Sequence, residues 1–190
     1  MESLPCFTPV LSVLHDAGLL NFCMDICDWS EELILQFYAT LHITGDADNV
    51  NSWVLDWMTE NTHFKAPASE LLHALPASPP PENVPIIYHE PELADHFMQV
   101  LMKPLKPGQA SRTKFLVKEL LYVPRTVYRI LTKTLSPIKG HNSNDEEVVS
   151  IMKNLLFNII HGILINYHDF LMRTLANVAL SPFQLNPYAP

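Results

Sequence analysis

Glycine is scarce in this chain, at 5 of 190 residues, and cysteine is scarcer, at 3. Five glycines supply no Gly-x-Gly-x-x-Gly run, no Walker loop and no Gly-x-Ser-x-Gly elbow, each of which needs clustered positions without a Cβ. The three cysteines are odd in number, and Cys23 and Cys27 stand one helical turn apart instead of at the two-residue redox spacing. With no second Cys or His pair at metal-ligand spacing, they read as free, reduced thiols of a cytosolic or nuclear protein. Long apolar runs are missing as well. The best stretch, Ile151–Leu171, is broken by Lys153, Asn154, Asn158, His161, Gly162, Asn166, His168 and Asp169, which is too polar for a membrane span. Met1–Val10 shows no basic region ahead of an apolar run, so no secretory signal is read there. Neither a glycine period nor sustained heptads appear, which excludes a collagen-like or coiled-coil fibre.

Positive charge is the most unevenly missing property. Residues 1–100 hold fifteen Asp and Glu against one basic residue, Lys65, for a net of −14. Residues 101–190 hold eleven Lys and Arg against five acids, for a net of +6. Within Lys103–Lys139, nine cations face one acid, Glu119. The overall net charge of −8 therefore conceals an acidic part and a basic part, which attract each other within one fold or between copies, or serve separate partners.

What is present suffices for a folded core: 48% of the residues are hydrophobic, in a length that suits one compact domain. Thr8, Pro9 and Gly18 bracket a first helix, and Ser30 with Glu31 and Glu32 starts a second. Alternating, β-branched runs at Tyr38–Thr44 and Ser52–Met58 predict a β-hairpin, followed by a short helix at Glu70–Leu75. Prolines 76, 79, 80, 81 and 85 predict an extended linker. Helices are then expected from Pro91 to Leu101, over Arg112–Tyr122 and over Pro124–Leu135. Asn144 and Glu147 have capping-box spacing ahead of Val148, Met152, Leu155, Leu156, Ile159, Ile160 and Ile163, with Gly162 expected to weaken or bend that helix. A last helix spans roughly Tyr167–Leu180. The resulting organisation is an acidic helical and hairpin region at 1–75, a Pro-rich linker at 76–90 and a basic-to-apolar helical region at 91–190. The fold class is mainly α, with one small β-hairpin in the N-terminal half.

The sharpest constellation is basic. Arg125, Arg129 and Lys133 recur at i, i+4 and i+8, which puts three cations on one helix face, with Lys114 and Lys118 on the preceding helix. Tyr122 and Tyr128 interleave as stacking surfaces for unpaired bases. Phosphate contacts from such a face give salt-dependent, sequence-tolerant binding. The competing explanation is a solvated face, or one paired with the acidic first half. Nine histidines do not make a metal site: His161 and His168, like His89 and His96, are seven apart, without zinc-helix spacing. Asp46, Asp48, Asn49 and Asn51 lack the Gly and Glu of a calcium loop and read as a polar turn. No catalytic constellation, metal site, cofactor site or small-molecule substrate site is read.

Several short motifs occur in a familiar order. They are Ile34-Leu35-Gln36-Phe37-Tyr38-Ala39-Thr40-Leu41, then Trp57-Met58-Thr59 ahead of Ser69-Glu70-Leu71-Leu72. Val123-Pro124-Arg125 follows, with Ile130-Leu131 and Lys133-Thr134-Leu135-Ser136-Pro137, and finally Pro187-Tyr188-Ala189-Pro190. This order resembles the plant transposon protein domain of retrotransposons abundant in grass genomes, akin to the Athila-type first-reading-frame, gag-region product. That family pattern continues past its "YAP" element, so against the resemblance Pro190 reads as either a truncation or the edge of a degraded element. No zinc knuckle, Asp-Thr-Gly protease motif or Tyr-x-Asp-Asp polymerase motif is present. The resemblance implies a gag-like structural product and carries over no functional residues. Joined to the basic helix face, it gives the expectation of a non-enzymatic protein that self-associates and binds RNA non-specifically through Lys114, Lys118, Tyr122, Arg125, Tyr128, Arg129 and Lys133. The alternative is a helical protein–protein interaction module, or an inert element remnant, without a nucleic-acid role.

Overall fold

The structure, a computed structural model, describes residues 7–24, 30–73, 98–108, 112, 114–134, 147–148 and 150–180. Helix α1 (Thr8–Asp16) has Pro9 in its first turn, where a missing N–H breaks no helical bond, and Gly18 lies just beyond its end as the sequence predicts. Thr8 is its first residue, and Phe7, not Thr8, stands at the N-cap. A single turn, α2 (Leu20–Met24), follows. Helix α3 (Glu31–Thr40) is capped by Ser30, whose hydroxyl accepts from the Leu33 N–H, with Glu31 and Glu32 against the positive end of the helix dipole.

The expected hairpin is a three-stranded antiparallel sheet in the order β1-β2-β3: β1 (His42–Thr44), β2 (Val54–Thr59) and β3 (Thr62–Pro67). The long β1–β2 loop is held by short polar turns. The Asp48 N–H donates to Asp46 Oδ1 at 3.0 Å, that of Asn51 to Asn49 Oδ1 at 3.2 Å, and Trp53 Nε1 to the Asp46 carbonyl at 2.7 Å. The third strand returns through a two-residue turn, Glu60-Asn61, both at positive φ (49° and 61°), the backbone of a type I′ hairpin. Glu is an unusual residue in that turn. Its N–H is tied to Gln36 Oε1 of α3 at 2.8 Å, so a tertiary bond stabilises a turn with little local signature. Helix α4 (Ala68–His73) leaves the sheet where the short helix after Pro67 was expected.

Beyond the Pro-rich segment, 76–90, which lies outside the described residues, residues 98–101 are helical. The helix expected over Arg112–Tyr122 is replaced by an extended segment with one 3-10 turn at Val117–Glu119. Its backbone bonds run sideways: Lys103 N–H to the Glu119 carbonyl at 2.7 Å, Leu121 N–H to Leu101 at 2.9 Å and Val148 N–H to Phe115 at 2.7 Å. Helix α5 (Tyr122–Thr134) then begins two residues before the expected start, carrying Pro124 within its first turn. Glu147 bridges Leu116, and α6 (Ser150–Ile160) starts after it; Asn144, the expected capping-box partner of Glu147, lies outside the described residues. Gly162, expected to bend this helix, ends it. At φ +64° it closes a Schellman motif, with Gly162 N–H to the Ile159 carbonyl at 3.3 Å and Ile163 N–H to Asn158 at 2.9 Å. Helix α7 is Tyr167–Leu180, as the spacing predicts. The described architecture is thus mainly helical, with one small sheet.

Two apolar clusters organise these elements. The larger draws Val10 and Leu14 from α1, Val127, Tyr128 and Leu131 from α5, Met152 and Leu156 from α6, and Phe170 from α7. It therefore takes residues from both sides of the Pro-rich segment. The smaller gathers Val50, Trp53, Leu55 and Ala68 around Met172 of α7. Arg173 pins the junction: Nε donates to Asp169 at 2.8 Å and Nη1 to the Ala47 carbonyl at 3.0 Å, with the guanidinium 5.9 Å from the Trp53 ring centre.

Gly45, at φ +142°, lies so close to the smaller cluster that a Cβ there would meet Ser52 O and Trp53 Cδ1 at 2.8 Å, whereas a Cβ at Gly162 would meet open space. Gly45→Ala is therefore expected to destabilise by about 2 kcal/mol or more, and Gly162→Ala by about 1 kcal/mol, as measured by urea unfolding of the two variants side by side.

Candidate nucleic-acid interface

Helix α5 has weak local reasons to exist. Val123, Thr126, Val127, Ile130, Thr132 and Thr134 are β-branched, and such residues lose side-chain freedom in a helix. Thr126, Thr132 and Thr134 donate their hydroxyls back to the carbonyls of Tyr122 (2.9 Å), Arg129 (3.2 Å) and Ile130 (3.0 Å), which satisfies the hydroxyls without strengthening the helix. Burial compensates: Pro124, Val127, Tyr128, Leu131 and Thr132 are buried against α1, α2 and α6.

Burying one face leaves the other to solvent. At about 100° per residue, Tyr122, Arg125, Arg129 and Lys133 fall within an arc of about 80°, with about 6 Å of rise between successive cations. Arg129 and Lys133 are exposed, Arg125 is half-buried and Tyr122 is 43% exposed. Tyr128 is corrected by the same geometry. It lies outside that arc, on the buried side at 2% exposure, and is a core residue with no ring face for a base.

Lys114 and Lys118 are exposed on the extended segment that leads into α5, not on a helix of their own. Lys114 Nζ stands 3.9 Å from Glu147, and the Lys118 carbonyl accepts from Lys103 Nζ at 2.7 Å. Arg112, half-buried, pairs with Glu119 at 3.3 Å and also donates to the Lys103 carbonyl. Lys118, Arg129 and Lys133 each have a partner in the fold. Lys103 is a further exposed cation in this cluster, which the helical reading of Arg112–Tyr122 could not place. Only the cross-pairing of residues 101–103 with 119–121 brings it there.

Other groups with chemical potential are arranged for packing. The Cys23 thiol lies 3.7 Å from Thr134 Oγ1, whose own hydrogen goes to Ile130, so the thiol is the donor. Burial pushes its pKa up and holds it neutral, the reverse of an activated nucleophile. His161 lies against Phe157, with ring centres 4.3 Å apart. Among the described residues, no three His, Cys, Asp or Glu are placed to hold a metal ion, and no helix is long and apolar enough to cross a membrane. A cleft of about 290 Å³ beside Trp53 is lined by Leu41, His42, Ile43, Thr44 and Ala176 among others, with no Asp, Glu, Lys or Arg in its lining.

Two outcomes follow from these placements. Tyr128→Ala is expected to destabilise the fold by about 3–4 kcal/mol while Tyr122→Ala changes it by less than about 0.5 kcal/mol, as read by denaturant unfolding. Burial, together with neighbouring His73, holds the pKa of His168 below its ordinary value, and its Nε2 has no hydrogen-bond partner. The unfolded chain therefore takes up a proton that folded His168 resists. Stability should fall as pH drops through the ordinary histidine range, and His168→Gln should flatten that fall in urea titrations at pH 7 and pH 5.5.

No family model, no curated protein and no solved structure matches this chain, so what the basic face does is argued from its own residues.

Proposed function

We propose that this chain is a non-enzymatic structural protein of the retrotransposon gag-region kind, which binds single-stranded RNA without sequence preference along α5 and self-associates. The observation that supports the reading is the ridge of α5: Arg125, Arg129 and Lys133 with Tyr122 in one solvent-facing arc of a helix whose opposite face is anchored in the core. Cations held at regular rise on a rigid element contact phosphates and release counterions. Tyr122 offers the ring for stacking, and Lys114 and Lys118 extend the positive surface at the start of the helix. The motif order that resembles gag-region proteins adds lineage to this reading.

The test is binding of the purified full chain to a mixed-sequence single-stranded RNA by fluorescence anisotropy, titrated in salt. Affinity should fall linearly with salt on logarithmic axes. Changing Arg125, Arg129 and Lys133 together to Ala should reduce the slope by about 2, from about 0.7 per lost phosphate contact. No binding at low salt, or an unchanged slope in the triple variant, would overturn the reading and leave the ridge as a surface that serves the fold or a protein partner.

A further inference from the structure

Among the described residues the sheet ends in an unpaired edge at β3, and its hydrogen-bond parity says which groups face out. Along β2, the Met58 N–H and carbonyl both bond the Thr40 hydroxyl, at 2.9 and 3.0 Å, on the β1 side. The Trp53 carbonyl, just before β2, accepts from Ala68 N–H at 2.8 Å on the β3 side. Odd-numbered residues of β2 therefore bond towards β3. Their partners Thr62, Phe64 and Ala66 bond inwards, and His63, Lys65 and Pro67 turn their backbone groups away from β2. Pro67, which has no N–H, sits at an outward position where none is needed by the ladder. Among the described residues no strand pairs with this outer edge, and Thr62, His63, Phe64 and Lys65 are all exposed.

The side chains on the edge are matched to a copy of themselves. Phe64 stacks on Trp57 with ring centres 5.5 Å apart and planes 12° apart, yet remains 40% exposed on its far side. One two-fold, antiparallel register lets both His63 and Lys65 use their outward N–H and carbonyl groups: His63 opposite Lys65 of the second copy, and Phe64 opposite its own equivalent on the axis. A register one pair along in either direction sets His63 against His63, or Lys65 against Lys65 with His63 facing Pro67. A lysine on an edge ordinarily deters pairing. Here Lys65, the sole cation of residues 1–100, comes opposite the His63 that contacts Asp56, so each ammonium is brought towards a carboxylate of the other copy.

We infer that the outer edge of β3 is a self-association surface, on which a second copy of this chain adds antiparallel about Phe64 to make a continuous six-stranded sheet. The inference rests on the self-association in the reading above and names its surface, which is separate from the α5 ridge. The contact is small, so the dimer is concentration-dependent. Its salt dependence is opposite to that of RNA binding. Residues 30–73 carry seven acids and one lysine, so two copies repel at low salt and associate more tightly as salt rises.

The test uses the full chain. Sedimentation should show a monomer–dimer equilibrium that strengthens with salt. Lys65→Pro removes an outward N–H while leaving the inner ladder whole, and should weaken dimerisation about tenfold or more at an unchanged melting temperature. Independently, Phe64→Cys should cross-link into a covalent dimer on mild oxidation, because non-hydrogen-bonded pairs lie about 4.5 Å apart at Cα, within disulfide reach. Thr62→Cys, which faces Ala66 of the other copy, and the unmodified chain should not. A chain that stays monomeric at millimolar concentration, or equal cross-linking of the two cysteine variants, would overturn the inference. Either result leaves the salt-weakened RNA binding of the α5 variants to be judged on its own.

Discussion

Burial of one face of α5 is the interaction on which the rest of the molecule depends. Val127 and Leu131 are fully buried and Tyr128 nearly so, and around them α1, α2 and α6 assemble. A helix rich in β-branched residues would not hold its conformation alone, since nucleation is unfavourable and propensity gives little back. Apolar burial supplies the stability, and the rigid 3.6-residue turn converts it into an orientation for every other side chain on the helix. The outward arc of Tyr122, Arg125, Arg129 and Lys133 is thus a consequence of the core. The same rotation that exposes Arg129 removes Tyr128 from solvent.

Helix α7 is the second organising element, because different faces of it serve the two apolar clusters. Phe170 belongs to the larger one and Met172 to the smaller, which carries the sheet. Arg173 reinforces that junction from the rim through Asp169 and the Ala47 carbonyl. The arrangement seats the acidic, sheet-bearing part of the chain on the last helix of the basic part. Like charges are thereby grouped on each part. Such grouping creates fields that attract counter-charged partners, at the expense of repulsion within each part.

Local signals that act within one turn were legible. Ser30 with its two glutamates, Pro9 and the apolar spacing of α7 each act through neighbours three or four residues away, so the sequence contains the whole cause. Where the cause lies elsewhere in the chain, the reading failed. Arg112–Tyr122 has an apolar spacing compatible with a helix, but residues 101–103 and 147–148 take its backbone groups into cross-strand bonds. The turn Glu60-Asn61 lacks the usual glycine, and the bond that supports it comes from Gln36 in another element. Gly162 was legible as a weak point; that it terminates the helix follows from the bonds that residues 162 and 163 make back to 158 and 159.

By itself, the sequence determined the separation of charge along the chain, the mainly helical composition of the fold and the i, i+4, i+8 spacing of three cations, because composition and periodicity are properties of order alone. Tertiary structure decided which way that helix is rolled, hence that Tyr122 meets solvent and Tyr128 does not. It also decided that β3 joins the sheet as an edge with His63 and Lys65 facing outward. Both depend on contacts between residues far apart in the chain, and burial of apolar surface, which is non-directional along the sequence, selects among them only once the elements meet.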